Sequence, residues 1–223
     1  MKGRLIVIEG LDGSGKATQA KRLAAALQQD GKRVREISFP NYDSDSSALV
    51  KMYLSGAFGT QPGDVNAYAA SSFYAVDRYA GMKQDWGAFY EDGGILIADR
   101  YTTSNAVHQC CKLPKAQWDE YLSWLFDFEY RLLGLPAPDL VVYLRLGIEI
   151  SQLLMSERYH GDEKKKDIHE SNTSYLEQAH LAADYCAGRY VWKTVDCGSD
   201  GGLRTIEEIG ADVWNLASRV IEL

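Results

Sequence analysis

The segment from Leu5 to Leu27 limits the possible folds of this chain more than any other. It begins with an apolar run, LIVIE, suited to a strand buried on both faces, and continues into a glycine-rich loop. Apolar residues then recur at helical spacing as far as Leu27. A loop in this setting turns its N–H groups and the positive end of the helix dipole towards one anion. The order of strand, loop and helix therefore predicts a phosphate site.

The loop fits the spacing G-x-x-x-x-G-K, in which Lys16 can reach the terminal phosphates of a nucleotide. The full motif continues with a Ser or Thr whose hydroxyl binds Mg²⁺, but here Ala17 follows and Thr18 is the nearest substitute. The alternative is an ordinary glycine-rich turn. We assign the following residues to the nucleotide phosphates: Gly10, Leu11, Asp12, Gly13, Ser14, Gly15, Lys16, Ala17 and Thr18.

Length and composition restrict the class of protein. The 223 residues are enough for one α/β domain with a sizeable core, and no internal repeat or linker divides them, so we expect a single domain over 1–223. A net charge of −7 argues against a nucleic-acid polymer as partner. No stretch approaches the ~18 apolar residues of a membrane helix. The four cysteines form no CxxC pair, which favours a reducing cytoplasm.

Predicted strands and helices alternate along the chain, which indicates a parallel sheet covered on both faces. We expect an α/β fold of the P-loop NTPase type, with three layers, a five-stranded parallel sheet and a short lid. After the first strand, further strands are expected at Val34–Phe39, Ile95–Asp99, Leu140–Leu146 and Val191–Asp196. Beyond the helix that starts near Lys16, helices are expected at Ser46–Ser55, Asp64–Trp86, Pro114–Leu133, Ser171–Gly188 and Thr205–Glu222. A further helix is expected to follow the fourth strand and to end at about Ser156.

The residues at the carboxyl ends of the strands are the candidates for function, because ligands of such sheets bind there. Asp99 ends the third strand and is placed to serve Mg²⁺ directly or from the second shell of ligands. Arg100 beside it can clamp a phosphate with two parallel hydrogen bonds. The alternative is that the two residues cap the next helix or pair internally.

Tyr74 and Arg78 lie four residues apart on a predicted helix and so share one face. An aromatic ring and a guanidinium on one face suit a nucleobase. The alternative is that the aromatic ring packs at the edge of the core and the arginine charge is exposed to solvent. The four histidines show no metal-ligand spacing. We expect them on the polar surface, although His108 and His169 could line the site.

The charged segment Glu157–Lys166 interrupts the pattern and predicts a lid over about residues 157–170. The alternative is a solvated loop, as most charge runs are. Because the glycine loop contains no arginine, a further cation for the phosphates must come from elsewhere. Arg158 is the best-placed candidate, ahead of Lys164, Lys165 and Lys166.

Four segments, in this order and spacing, resemble the thymidylate kinases over essentially the whole chain: IEGLDGSGKATQ, FPNY, FYAVDRYAG and DRYTTSNAVHQ. The resemblance implies a homodimer that transfers the γ-phosphoryl group of ATP to dTMP, with Mg²⁺ as the metal. Since the glycine loop lacks arginine, the chain is most similar to the bacterial subgroup, whose lid supplies the cation.

The resemblance also implies roles for individual residues. In that family the residue that matches Tyr74 stacks on thymine, and the residue that matches Arg78 hydrogen-bonds the base. Arg100 matches the arginine that bridges donor and acceptor phosphates. The other positions implied around dTMP are Asp12, Tyr42, Ser104, Asn105 and Gln109. We therefore expect Lys16, Arg100 and Arg158 to be catalytic, and Asp99 to hold the metal together with Thr18, which acts either directly or through water.

Two departures and two rival functions accompany this resemblance. Ala17 removes the usual metal hydroxyl, and the arginine that several relatives carry in the segment matching Pro40–Tyr42 is absent. One rival is a kinase for another nucleoside monophosphate or for a deoxynucleoside; a deoxynucleoside would need a carboxylate base, for which Glu9 is the candidate. The other rival is a non-catalytic nucleotide-binding regulator. A GTPase is disfavoured because the sequence contains no NKxD motif.

Overall fold

A central parallel sheet organises the chain in the computed structural model, which describes residues 2–158, 172–199 and 202–221. Its strands lie in the order β2-β3-β1-β4-β5. Every neighbouring pair is parallel, so all the carboxyl ends meet at one edge. The strands are β1 (Arg4–Gly10), β2 (Val34–Ser38), β3 (Ile95–Asp99), β4 (Leu140–Arg145) and β5 (Lys193–Asp196).

Helices cover both faces of this sheet and complete three layers. α1 and α9 pack on one face, and α5, α6 and α8 pack on the other. A short antiparallel pair, β6 (Gly198–Ser199) and β7 (Gly202–Leu203), follows β5. The helices are α1 (Lys16–Gln29), α2 (Ala48–Leu54), α3 (Ala67–Gly81), α4 (Gly87–Glu91), α5 (Thr102–His108), α6 (Trp118–Phe126), α7 (Ile148–Arg158), α8 (Thr173–Arg189) and α9 (Ile206–Ile221).

Strand β1 shows why an unbroken apolar run suits the centre of such a sheet. Leu5 and Val7 point into the core beneath α5, α6 and α8, while Ile6 and Ile8 point into the core beneath α1 and α9. All four side chains are fully buried. Because successive residues of a strand face opposite sides, a strand covered on both faces needs apolar residues at every position.

The predicted fold class and five-stranded sheet are confirmed. β3 has the expected bounds, and the other strands and most helices differ from expectation by one to three residues. The expected helix Asp64–Trp86 differs more. Asn66 caps α3, because its side-chain oxygen accepts from the N–H of Ala69, and the segment then continues through a π-helical turn at Met82–Trp86 into α4. The segment after α6 likewise forms a π-helical turn at Asp127–Leu132.

Helix α5 was not predicted. Its sequence, TTSNAVH, is rich in residues with low helix propensity. The helix forms because six of its seven side chains are buried, so that tertiary contacts outweigh local preference.

Two expectations concern parts of the chain at the limit of this description. The lid predicted at about 157–170 lies almost entirely outside the described residues, as do Lys164, Lys165, Lys166 and His169. The backbone of α7 reaches Arg158, but the side chain of Arg158 also lies outside the description. Among the helices that are described, none is long and apolar enough to cross a membrane.

Candidate active site

The glycine loop joins β1 to α1 and presents backbone rather than side chains. Gly15 precedes α1 with a φ of 86°, in the left-handed region that glycine adopts without strain. Gly10 permits a close approach, since a Cβ there would lie 2.8 Å from the carbonyl oxygen of Leu144 on the neighbouring strand β4. The loop can therefore fold tightly at the amino end of α1, where N–H groups have no helical partners.

Lys16 lies buried within this loop. Its Nζ donates to the carbonyl oxygen of Leu11 at 2.8 Å and lies 3.8 Å from Oδ1 of Asp12. Burial, together with the nearby charge of Arg100, lowers the pKa of Lys16 to about 8, although Asp12 and other carboxylates act in the opposite direction. A phosphate entering the loop would add negative charge beside the ammonium and stabilise its charged form.

Arg100 follows β3 and is held in an unusual backbone conformation. Its φ is 68°, in the left-handed region that costs a non-glycine residue about 1 kcal/mol or more. Its Nη2 donates to Oδ1 of Asp12, and its Nη1 lies 3.2 Å from Nε2 of His108. Burial alone would lower the pKa of Arg100, but Asp12, Glu9 and Asp99 outweigh burial and raise it. The guanidinium is therefore permanently charged and directed by partners from two elements.

The glycine loop and the β3 end open into one cavity of about 980 Å³. Most of the predicted site residues line it. They are Asp12, Gly13, Gly15, Lys16, Ala17, Thr18, Tyr42, Tyr74, Arg78, Asp99, Arg100, Ser104, Asn105 and Gln109. Gly10, Leu11 and Ser14 are buried within the loop and are not among the lining residues. The cavity thus brings together the predicted residues other than these three and Arg158, whose side chain is not described.

Arg78 lies at the floor of this cavity in a buried network that the sequence did not reveal. Its Nε and Nη2 donate to the two carboxylate oxygens of Glu129 at 2.7 and 2.6 Å. Thr102 and Asn105 of α5 donate to the same carboxylate at 2.6 and 3.1 Å. Burial alone would lower the pKa of Arg78, but the paired Glu129 raises it. Glu129 therefore fixes the orientation of Arg78, 51 positions away in the chain.

Glu9, at the end of β1, is also fully engaged by donors. Its Oε1 accepts from the N–H of Gly10 at 3.0 Å, and its Oε2 accepts from Thr103 and Ser104 at 2.7 and 2.8 Å. The side chain is only 1% exposed. This carboxylate ties the glycine loop to α5 and does not line the cavity.

Two cavity residues keep polar atoms for which the described part of the chain offers no partner. Oδ1 of Asp99 is buried without a hydrogen bond, and so are both polar atoms of the Gln109 amide. Buried polar atoms are normally paired, so unpaired ones at a cavity wall mark positions for a ligand. Asp99 suits a cation or its bound water, and Gln109 suits a ligand with both donors and acceptors.

Tyr42 reaches the cavity on a loop that Asp77 holds in place. Oδ2 of Asp77 accepts from the N–H of Asn41 at 2.8 Å, and Lys51 of α2 donates to the carbonyl oxygen of Tyr42 at 3.0 Å. Lys51 itself lines the cavity. It supplies a cation in the region where the sequence lacks the arginine of several relatives. Sequence reasoning missed Lys51 because a lone lysine on a short helix carries no pattern.

The expectation that His108 lies on the polar surface was wrong. The imidazole lies on the cavity wall and is 7% exposed, because α5 turns it inward between Arg100 and α8. Burial, and then the charge of Arg100, lower its pKa to about 3. His108 is therefore neutral across the physiological range.

The fold and the site define this chain as a P-loop α/β protein with a cavity beside its glycine loop. A family model described as "Thymidylate kinase" matches residues 8–197. The chain is 30% identical over 205 residues to the thymidylate kinase of Mycobacterium tuberculosis, covering 89% of this chain and 94% of that one. It is 28% identical over 222 residues to the thymidylate kinase of Danio rerio, covering 100% and 93%.

A solved structure, a thymidylate kinase from Candida albicans, matches the fold with a TM-score of 0.72. The two share 23% identity, and the match covers 98% of this chain and 92% of the other. From the family model and the two relatives, the chain belongs to the thymidylate kinase family. It is a phosphotransferase of the nucleoside monophosphate kinase class.

Proposed function

We propose that this chain transfers the γ-phosphoryl group of ATP to the 5′-phosphate of dTMP, giving dTDP and ADP. The observation that carries the proposal is that Lys16, Arg100, Tyr74 and Arg78 all line one and the same cavity. The cations Lys16 and Arg100 are suited to bind phosphate groups. The aromatic ring of Tyr74 and the guanidinium of Arg78 are suited to bind a base. ATP phosphates would occupy the glycine loop, and dTMP would lie between Tyr74, Arg78 and Arg100.

The remaining wall of the cavity supports the acceptor end of this arrangement. Asp12, Tyr42, Ser104, Asn105 and Gln109 are proposed to contact dTMP. The unpaired amide of Gln109 is suited to the mixed donors and acceptors of a base or sugar edge. Arg78 would keep its fixed orientation towards the base through Glu129.

The reaction needs charge neutralisation rather than a general base. The second pKa of a phosphate monoester is about 6, so the acceptor is already mostly dianionic at neutral pH. Two anions must be held in line while charge on the moving group is stabilised. Lys16 and Arg100 would provide the fixed positive charges, and Arg158 is proposed to add a third from the predicted lid at about 157–170.

Mg²⁺ is the metal that this chemistry implies, and the residues present fit it. Asp99 offers a buried carboxylate oxygen that has no partner in the described part of the chain. Mg²⁺ commonly takes one or two carboxylates together with substrate phosphates and water, so a cluster of protein ligands is not required. Asp99 would hold the ion, and Thr18 would contribute its hydroxyl either directly or through water. When bound, the ion would neutralise charge on the ATP phosphates.

The rival functions are less well supported by the site. A kinase for a deoxynucleoside would need Glu9 as a base, but Glu9 accepts from three donors and lies outside the cavity lining. A kinase for another nucleoside monophosphate would use the same machinery with a different base contact. A regulator without turnover would not need Lys16, Asp99 and Arg100 in one cavity.

We also propose that the chain acts as a cytoplasmic homodimer with one domain over 1–223. The two larger hydrophobic cores lie on opposite faces of the same sheet, which supports a single domain. All four cysteines are buried and unpaired, as a reducing compartment would leave them. α2 packs against α3, and the outer face of this pair exposes large apolar side chains at Leu49, Met52, Tyr68, Val76 and Tyr79. A second copy would cover this face.

A panel of acceptors tests the proposed reaction. The protein is incubated with ATP, Mg²⁺ and either dTMP, dUMP, dCMP, AMP or thymidine, and ADP release is measured. We expect the highest kcat/KM with dTMP and negligible turnover with thymidine. Preferred turnover of thymidine or AMP would favour the first rival. Nucleotide binding without turnover of any acceptor would favour the second.

A further inference from the structure

His108, Tyr175 and Arg100 form a connected set of hydrogen bonds on the cavity wall. Nη1 of Arg100 lies 3.2 Å from Nε2 of His108. On the other side of the ring, the Tyr175 hydroxyl lies 3.3 Å from Nδ1 of His108 and 2.8 Å from the carbonyl oxygen of the same residue. These contacts join the β3 end, α5 and the first turn of α8.

The chemistry of the donors fixes where each proton lies. A guanidinium can only donate, so Nε2 of His108 must accept and carries no proton. A carbonyl oxygen can only accept, so the Tyr175 hydroxyl gives its single proton to the carbonyl of His108. Its oxygen is then the acceptor for Nδ1, which carries the proton of the neutral ring. The tautomer protonated on Nδ1 satisfies all three contacts.

The surroundings keep this arrangement in place. Burial raises the pKa of Tyr175 well above its usual range, so its hydroxyl stays a donor. Both side chains are at least nine-tenths buried, and their rings lie nearly parallel with centroids 6.2 Å apart. Asp12 holds the other terminal nitrogen of Arg100. The guanidinium therefore contacts the glycine loop through Nη2 and α5 through Nη1.

We propose that His108 is a positioning residue for phosphoryl transfer, whose unprotonated Nε2 sets the plane of the Arg100 guanidinium while Tyr175 stabilises this tautomer by accepting from Nδ1. This inference rests on the proposed function, in which Arg100 contacts the phosphates. A group that positions a charge acts mainly on the bound complex, so its loss lowers kcat more than it raises KM.

The first test reads the tautomer directly and does not depend on activity. Protein labelled with ¹⁵N in its histidines is studied by NMR, and the His108 signals are assigned from His108→Gln. We expect a neutral ring protonated on Nδ1 at pH 7, and a shift towards the Nε2-protonated form in Tyr175→Phe. A ring protonated on Nε2 in the wild-type protein would overturn the proposal.

The second test separates positioning from mere packing. His108→Phe keeps an aromatic ring but removes the acceptor, and we expect kcat with dTMP to fall about 10- to 100-fold with a smaller change in KM. His108→Gln offers a carbonyl oxygen near the Nε2 position and should recover most of this loss. The control His180→Gln removes an imidazole of α8 that is not in the cavity lining and should match the wild type.

The outcomes distinguish the inference from the function on which it rests. Equal loss in His108→Phe and His108→Gln, with both folded by circular dichroism, would show that the acceptor is irrelevant. If His108→Phe fails to fold, the NMR tautomer and the rate of Tyr175→Phe decide the matter, with a reduced kcat expected. Wild-type protein that phosphorylates none of the acceptors would refute the proposed function even if the Nδ1 tautomer is found.

Discussion

Arg100 is the residue on which the proposed chemistry depends most. Its guanidinium stays charged, and Asp12 and His108 direct it into the cavity that Lys16 shares. A strained backbone at a residue so firmly held by its neighbours is typical of functional positions. The strain is tolerated because the surrounding contacts determine the conformation.

Arg100→Ala should lower kcat by about 10³-fold or more, since an arginine on the transferring phosphoryl group commonly contributes this much. The fold should remain intact, as judged by circular dichroism. The matched control is Arg33→Ala. Arg33 lies before β2, at the opposite edge of the sheet, and forms an exposed ion pair with Asp92. Near-normal turnover of Arg100→Ala would remove this residue from the mechanism.

The depressed pKa of His108 predicts how stability depends on acid. In the folded chain its pKa is about 3, because of burial and then the charge of Arg100; Lys16 and Lys112 act in the same direction, and Asp12 opposes them. The unfolded chain has an ordinary histidine pKa of about 6.5 and therefore binds one more proton between these values. Stability from this group is present above pH 6.5 and is lost as the pH falls.

From pH 7 to pH 5 this linkage should remove about 2 kcal/mol of the free energy of unfolding. Urea unfolding at the two pH values measures it in the wild type and in His108→Gln. The variant should lose correspondingly less between pH 7 and pH 5. Identical pH dependence in His108→Gln and the wild type would show that His108 takes up its proton while folded.

The Arg78–Glu129 ion pair joins α3 to the π-helical turn after α6. Both side chains are at most 1% exposed, and their two hydrogen bonds are short. Removing one partner of such a pair leaves a buried charge, which costs about 3–5 kcal/mol. Glu129→Gln should therefore lower the free energy of unfolding strongly and weaken dTMP binding.

Denaturant unfolding and titration with dTMP measure the two effects. The neighbouring variant Asp127→Asn breaks an exposed pair with Arg131 in the same π-helical turn and should change neither result. Glu129→Gln with wild-type stability and affinity would mean that the network does not hold Arg78.

The parts of the fold that local pattern specifies were predictable from sequence. β1, α1 and β3 carry unbroken apolar runs or helical spacing, and the structure has them as expected. Helix α5 was missed because its polar residues favour other conformations, and only its burial against Glu9 and Glu129 makes it helical.

The candidate site divides in the same way. Lys16 and Arg100 were predictable because they lie within or beside motifs at strand ends. Glu129 and Lys51 were not, since their contacts join residues far apart in the chain or lie on a short helix without a motif. His108 was placed wrongly because its burial depends on the packing of α8 against α5, and no local pattern reveals that contact.

The exposed apolar face of α2 and α3 predicts an interface between two copies of the chain. Val76 is 51% exposed and shares a helix face with Tyr68 and Tyr79. Val76→Glu would place a charge in the centre of this face and should convert a dimer into a monomer.

Light scattering after size exclusion gives the mass of each species. The control Leu181→Glu changes an equally exposed apolar residue of α8 and should leave the dimer intact. A monomeric wild type, or a dimeric Val76→Glu, would mean that this face has another role.

In the proposed reaction two nucleotides meet end to end above the carboxyl ends of β1 and β3, held by cations and without a base. The decisive experiment is a crystal structure of the protein with Mg²⁺, a non-hydrolysable ATP analogue and dTMP. We predict thymine against Tyr74 and Arg78, the ATP phosphates on the glycine loop with Lys16, and Arg100 between the two phosphate groups. Thymine bound away from Tyr74 and Arg78, or Arg100 contacting neither nucleotide, would rule out this arrangement.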